Sequence, residues 1–195
     1  MTALVTGGIA CLRRFNLRAV LLLVSASLIV GVCTAQDLRR GAPERSLQAA
    51  YLLKFPGYVE WPGERFASAT APIVVGVLGA DDLASELAAV AAGRTVRERP
   101  ISVRRLSPQD ELGDLHVLFF SALDDDAERG AAIAAEQSLL TVTVSQAERE
   151  ASVIQFITVN ERVRFEVRVA VAQRNGLRLQ SGLLAVAARV EEGAR

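Results

Sequence analysis

Three short runs decide what this chain can fold into. Ile73–Leu78 (IVVGVL), Leu115–Phe120 (LHVLFF) and Leu139–Val144 (LLTVTV) are apolar or β-branched almost throughout. A strand with one wet face alternates apolar and polar residues. An unbroken run needs cover on both faces, which is the condition of a strand in a parallel sheet flanked by helices. Helical segments separate the runs. Leu83–Ala92 follows the first, with Asp81 and Asp82 ahead of it and Gly93 as its stop, and Ala127–Glu136 follows the second behind Asp124-Asp125-Asp126. Ser46–Lys54 (SLQAAYLLK) has helical spacing ahead of them all, and Ile101–Leu106 (ISVRRL) reads as a strand with exposed arginines. Val153–Val159 and Val163–Val169, joined by Asn160-Glu161-Arg162, read as an antiparallel hairpin, and Leu183–Val190 (LLAVAARV) as a closing amphipathic helix. The prediction is an α/β fold: a three-layer, Rossmann- or flavodoxin-like mixed sheet with helices on both faces and a C-terminal antiparallel hairpin. One domain, residues 46–191, accounts for it.

The first 35 residues read differently. Met1–Arg18 carries Arg13, Arg14 and Arg18 and no acid, Ala19–Val32 is almost wholly apolar, and Cys33-Thr34-Ala35 supplies small residues before a cut at Ala35/Gln36. That is the pattern of a secretory signal peptide over 1–35, with an uncleaved signal anchor as the alternative. Residues 36–45 then form a flexible lead-in. Loss of the leader leaves 19 basic residues of the original 22 against 22 acidic ones, a formal charge of −3. Both cysteines, Cys11 and Cys33, leave with it. The remaining chain has no thiol for a disulfide, a nucleophile or a metal. The whole chain has zero formal charge, which argues against a nucleic-acid binder, since that needs a basic surface.

Few residues point to chemistry. His116, the only histidine, lies inside a strand run with no signalled nucleophile beside it, and reads as structural. Gly76-Val77-Leu78-Gly79 lacks the third glycine and the lysine of phosphate loops. No catalytic set, no metal set and no cofactor is expected. Asp81, Asp82 and Asp124 each fall between a strand and a helix, where the carboxyl edge of a doubly wound sheet receives ligands. They could hold a hard cation, or simply complement the helix dipoles. Phe55, Tyr58, Trp61 and Phe66 crowd into one Pro- and Gly-broken stretch and read either as core or as a docking surface. Arg162, Arg164 and Arg168 share a parity on the hairpin and read as one solvated face, or as a site for an acidic partner.

The order of elements resembles the YfiR family, whose domain is also called DUF4154. The resemblance is carried by Ala49-Ala50-Tyr51-Leu52-Leu53-Lys54-Phe55-Pro56-Gly57-Tyr58-Val59-Glu60-Trp61-Pro62 and by Ile73–Leu83. It continues in Val163-Arg164-Phe165-Glu166-Val167, Asn175-Gly176-Leu177-Arg178-Leu179 and Ser181-Gly182-Leu183-Leu184-Ala185-Val186-Ala187. The chain departs from the family in having Arg168 where an Asn is usual, Glu150-Ala151-Ser152 where a glycine pair is often seen, and no cysteine after residue 35. The resemblance implies a periplasmic regulatory protein that represses a membrane-bound diguanylate cyclase. Its partner would be that enzyme's periplasmic sensor domain, and it would affect cyclic-di-GMP signalling and biofilm formation. It also implies a homodimer. Phe55, Tyr58, Trp61 and Arg168 are then the candidate partner contacts. Two alternatives stand beside it: a periplasmic small-ligand sensor binding near Gly79–Asp82 and Ser121–Asp126, and an exported hydrolase using His116 or the aspartates.

Overall fold

The computed structural model describes residues 42–121, 134, 136–147 and 149–193. The expected leader, most of the lead-in, Asp124 with its acidic run, and the helix expected over 127–136 apart from residues 134 and 136 lie outside the described residues.

Helix α1 (42–54) buries Ala49, Leu52 and Leu53 on one side. It runs into a tight turn at Phe55–Tyr58, where Pro56 removes a helical donor. Strand β1 (Val59–Glu60) follows, then β2 (Ile73–Leu78), α2 (Asp81–Ala91), β3 (Thr95–Val96), β4 (Arg99–Leu106), β5 (Val117–Phe120) and β6 (Leu140–Thr143). The chain continues through β7 (Ile154–Val159), β8 (Arg162–Arg168), α3 (Val169–Arg174), β9 (Arg178–Leu179), α4 (Ser181–Val186) and β10 (Arg189–Glu191).

The main sheet has eight strands in the order β10-β8-β7-β6-β5-β2-β4-β3. The run β7-β6-β5-β2-β4 is parallel throughout, and β8 and β3 pair antiparallel to β7 and β4. The three apolar runs of the sequence are its centre, and every residue of β5 and β6 is buried. Alternation sorts their side chains. Val75, Val77, Val117, Phe119, Leu140 and Val142 face the larger core beneath α1, α2, α3 and α4. Leu118 and Phe120 face the other way and pack with Leu106, Leu115, Leu139 and Ala134, which is itself helical. Gly76 interrupts its run for a steric reason. A Cβ there would lie 2.5 Å from Leu106 and 2.7 Å from Leu115.

Three expectations needed correction. The hairpin loop has two residues, since Arg162 already pairs with Val159. Asn160 (φ 49°) and Glu161 (φ 59°) both adopt the left-handed conformation that such a loop demands, although neither is glycine. The second strand of the hairpin ends at Arg168, and Val169 begins α3. The closing helix stops at Val186. The sequence after it has helical propensity, but Arg189–Glu191 instead pairs parallel with Glu166–Arg168, and tertiary pairing outweighs propensity there. A two-stranded ribbon, β1 with β9, ties Val59 to Leu179 and Glu60 to Arg178.

Candidate functional site

Strand β2 sits between β4, which follows it in sequence, and β5, so the order of strands reverses between β2 and β5. A doubly wound sheet opens a crevice at such a point, beyond the carboxyl ends of the strands. The structure has a hollow of about 490 Å³ there. Gly79 and Ser121, the residues just beyond β2 and β5, line it, as do Asp81 and Asp82 from the first turn of α2. Glu44, Arg45 and Gln48 of α1 line it as well. Gly79 (φ 72°) makes the turn out of β2, and Ser121 Oγ donates to its carbonyl oxygen at 2.7 Å. A Cβ on Gly79 would lie 2.6 Å from that Oγ. Among the described residues no group of three His, Cys, Asp or Glu side chains is placed to hold a metal ion.

The aromatic stretch divides into two parts. Phe55 is 1% exposed and belongs to the core, with ring centroids 5.1 Å from Phe165 and 5.8 Å from Phe156. Burial removes it from any contact surface. Tyr58 is 37% exposed and rests on α4, where a Cβ at Gly182 would lie 3.1 Å from its ring. Val186, one turn further along that helix, is 58% exposed and shares its outer face. Trp61 is half-buried, edge-on to Phe66 and to His116, and its indole N–H has no acceptor among the described residues.

His116 joins that second part. Its ring stacks on Phe66 at 4.5 Å, and the Arg99 guanidinium lies over the Phe66 ring at 3.8 Å from the centroid. The Val74 N–H donates to His116 Nδ1 at 3.3 Å, and Nε2–H donates to the Arg65 carbonyl at 3.2 Å. Those partners fix the neutral tautomer with its proton on Nε2. Burial lowers the pKa of His116, and the charges of Arg65 and Arg99 lower it further, against the hydrogen bond to the Arg65 carbonyl. With its one free lone pair engaged by a backbone donor, the imidazole is a bracket between β2 and the Arg65 turn. It has nothing left with which to act as a general base.

Arg168 corrects the reading of a solvated arginine face. Arg162 and Arg164 are exposed, but Arg168, of the same parity, is 3% exposed. Its guanidinium donates to the Ser152 carbonyl (3.2 Å), Ser152 Oγ (3.3 Å) and Gln155 Oε1 (3.0 Å), and its Nε lies 3.3 Å from Glu191 Oε2. Arg149 pairs with Glu191 and Glu166, and Arg189 with Glu166. Burial lowers the pKa of Arg168, as does the charge of Arg149. The covering residues come from β10 and from the loop before β7, and no local pattern around the hairpin announces them. As a buried residue Arg168 offers no surface to a partner. It locks β7, β8 and β10 together.

The structure thus brings Asp81 and Asp82 to one hollow, leaves Tyr58 and Trp61 near the surface, and buries Phe55 and Arg168. Sequence reasoning missed α1's share of the hollow. The available signal was Gln48, a polar residue on the side of α1 that carries Ala49 and Leu52 inward. Among the described residues no helix is long and apolar enough to cross a membrane. A family model described as YfiR/HmsC-like (DUF4154) matches residues 45–188. No curated protein matches the chain.

Proposed function

The chain belongs to the YfiR/HmsC-like family, and from that membership we propose that it is a periplasmic regulator of a membrane-bound diguanylate cyclase. It binds the enzyme's periplasmic sensor domain and holds cyclic-di-GMP synthesis down. The match over residues 45–188 carries this reading. The engagement of both His116 nitrogens by backbone partners supports it against the hydrolase alternative.

The contact surface is centred on Tyr58 and Val186, the exposed apolar side chains on either side of Gly182. A regulator of this kind works by differential affinity. Driving a receptor from about 1% to about 99% in its inactive state requires roughly 10⁴-fold tighter binding to that state. An aromatic anchor is worth about 2 kcal/mol or more of such a difference.

The test is the cellular cyclic-di-GMP level in strains lacking and carrying the chain. Deletion is expected to raise it, the wild-type chain to restore it, and Tyr58→Ala with Val186→Asp to fail while retaining the wild-type melting temperature. A level indifferent to deletion refutes the reading.

A further inference from the structure

Strand β8 uses only one of its two edges in full. Strand β7 pairs along Arg162–Val167 on one side. On the other, β10 pairs with Glu166–Arg168 alone, and the Ala188 N–H reaches the Phe165 carbonyl. Among the described residues no strand covers Arg162–Arg164 on that side, so the sheet has an open edge there. The side chains along it are cationic. Val163, Phe165 and Val167 turn into the core, which puts Arg162, Arg164 and Arg168 on the opposite face with Glu166 between the last two. Arg162 and Arg164 are exposed and have no ion-pair partner among the described residues. Charge at an edge guards against pairing with another copy of the same strand. That explanation stops at Arg168, which is buried.

The cover over Arg168 is slight. Strand β10 has three residues, none of them buried. Its Glu191 carboxylate reaches Arg149 and Arg168, yet the Nε–H groups of both arginines are buried with no hydrogen-bond acceptor among the described residues. A buried donor left unmet is costly, so β10 satisfies its own site incompletely. The tail beyond it depends on Gly193, where a Cβ would lie 2.7 Å from that of Ala170 in α3.

We infer that the outer edge of β8 is a strand-receiving site, partly covered by the chain's own β10, for an extended segment of a protein partner with acidic side chains at alternate positions. The segment displaces β10 and continues its parallel course along the whole of β8. It gains backbone pairing opposite Arg162–Phe165 that β10 does not supply. Carboxylates two residues apart meet Arg162 and Arg164, and a further one takes the place of Glu191 at Arg149 and Arg168. Because β10 competes, apparent affinity falls with the fraction of chains in which it stays docked. The inference does not rest on the Tyr58 contact.

The experiment titrates the purified full chain into a fluorescein-labelled peptide, Glu-Thr-Glu-Val-Arg-Val-Glu, which repeats the sequence of Arg189–Glu191 and adds acids in register with Arg162 and Arg164. Anisotropy should show saturable one-to-one binding that weakens with salt. The counterpart peptide with Gln for every Glu should bind at least about tenfold more weakly. Arg162→Gln with Arg164→Gln, both exposed, should weaken binding of the acidic peptide at least about tenfold and leave the thermal melt unchanged. Gly193→Val, which wedges the tail off Ala170, should strengthen it about threefold or more by freeing the edge. Hydrogen exchange should slow within Arg162–Phe165 on binding. If the wedge variant does not fold, the glutamine peptide and the arginine pair decide. Absence of binding by the wild type and by every folded variant overturns the inference. So does equal binding of the glutamine peptide, or indifference to the arginine pair. A dimer of the chain, seen by sedimentation, that shields the same amides and excludes the peptide also overturns it, since a second copy is then the occupant.

Discussion

Acidifying the protein through the histidine range should unlock one bracket in a predictable way. In the folded chain His116 is neutral, accepting from Val74 N–H and donating to the Arg65 carbonyl. Protonation would set an N–H against an N–H beside two arginines. Burial first, and then the charges of Arg65 and Arg99, hold the folded-state pKa below the ordinary histidine value of about 6.5. Below pH 6.5 the unfolded chain takes up a proton that the folded chain refuses, so stability falls as pH drops and is fully present only above that value. The limiting slope is about 1.4 kcal/mol per pH unit for one proton. His116 is the only histidine, so the difference in slope between the wild type and a variant lacking it isolates this one group between pH 5 and 6.5. His116→Phe keeps the stack on Phe66 but strands the Val74 N–H and the Arg65 carbonyl, at roughly 1–3 kcal/mol each. Urea unfolding followed through Trp61, the only tryptophan, gives the assay at constant ionic strength. The wild type should lose stability from pH 7.5 to 5.0, and the phenylalanine variant should be weaker at pH 7.5 and lose less across the window. A flat wild-type profile, or an unchanged slope in the variant, refutes the bracket.

Other perturbations have equally definite signs. Glu161→Gly should stabilise by about 0.5–1 kcal/mol, seen as a higher melting temperature, because a non-glycine residue at φ 59° carries strain. Gly79→Ala should cost about 1–2 kcal/mol or more in urea unfolding, from its φ of 72° and the new Cβ pressed on Ser121. Arg168→Met should destabilise by about 3–5 kcal/mol, since it leaves the half-buried Glu191 short of a partner and the buried Gln155 carbonyl without its donor. Hydrogen exchange should show that loss concentrated in β8 and β10.

The centre of the sheet was legible because burial on both faces writes itself as uninterrupted apolar residues. The same logic placed Asp81 and Asp82 at the strand ends without any knowledge of what faces them. The edges were not legible. Whether Arg189–Glu191 continues a helix or joins a sheet depends on Glu166 and Arg168, more than twenty positions away, and residue spacing is blind to them. Arg168 shows the limit of parity. Alternation correctly set it on the face of Arg162 and Arg164, but said nothing of Glu191 and Arg149 closing over it. Tyr58 and Phe55 are three positions apart with opposite exposures, and only the packing of Phe156 and Phe165 decides between them.

The β1–β9 ribbon joins parts of the chain that Glu60 and Gln180 show to be 120 positions apart. Closing so long a loop is entropically expensive and waits upon the contacts inside it. Tyr58 therefore meets Gly182 only after the intervening strands have found their register. A receptor that grips this junction would be testing the workmanship of the entire intervening chain, and half-assembled molecules would pass it unnoticed.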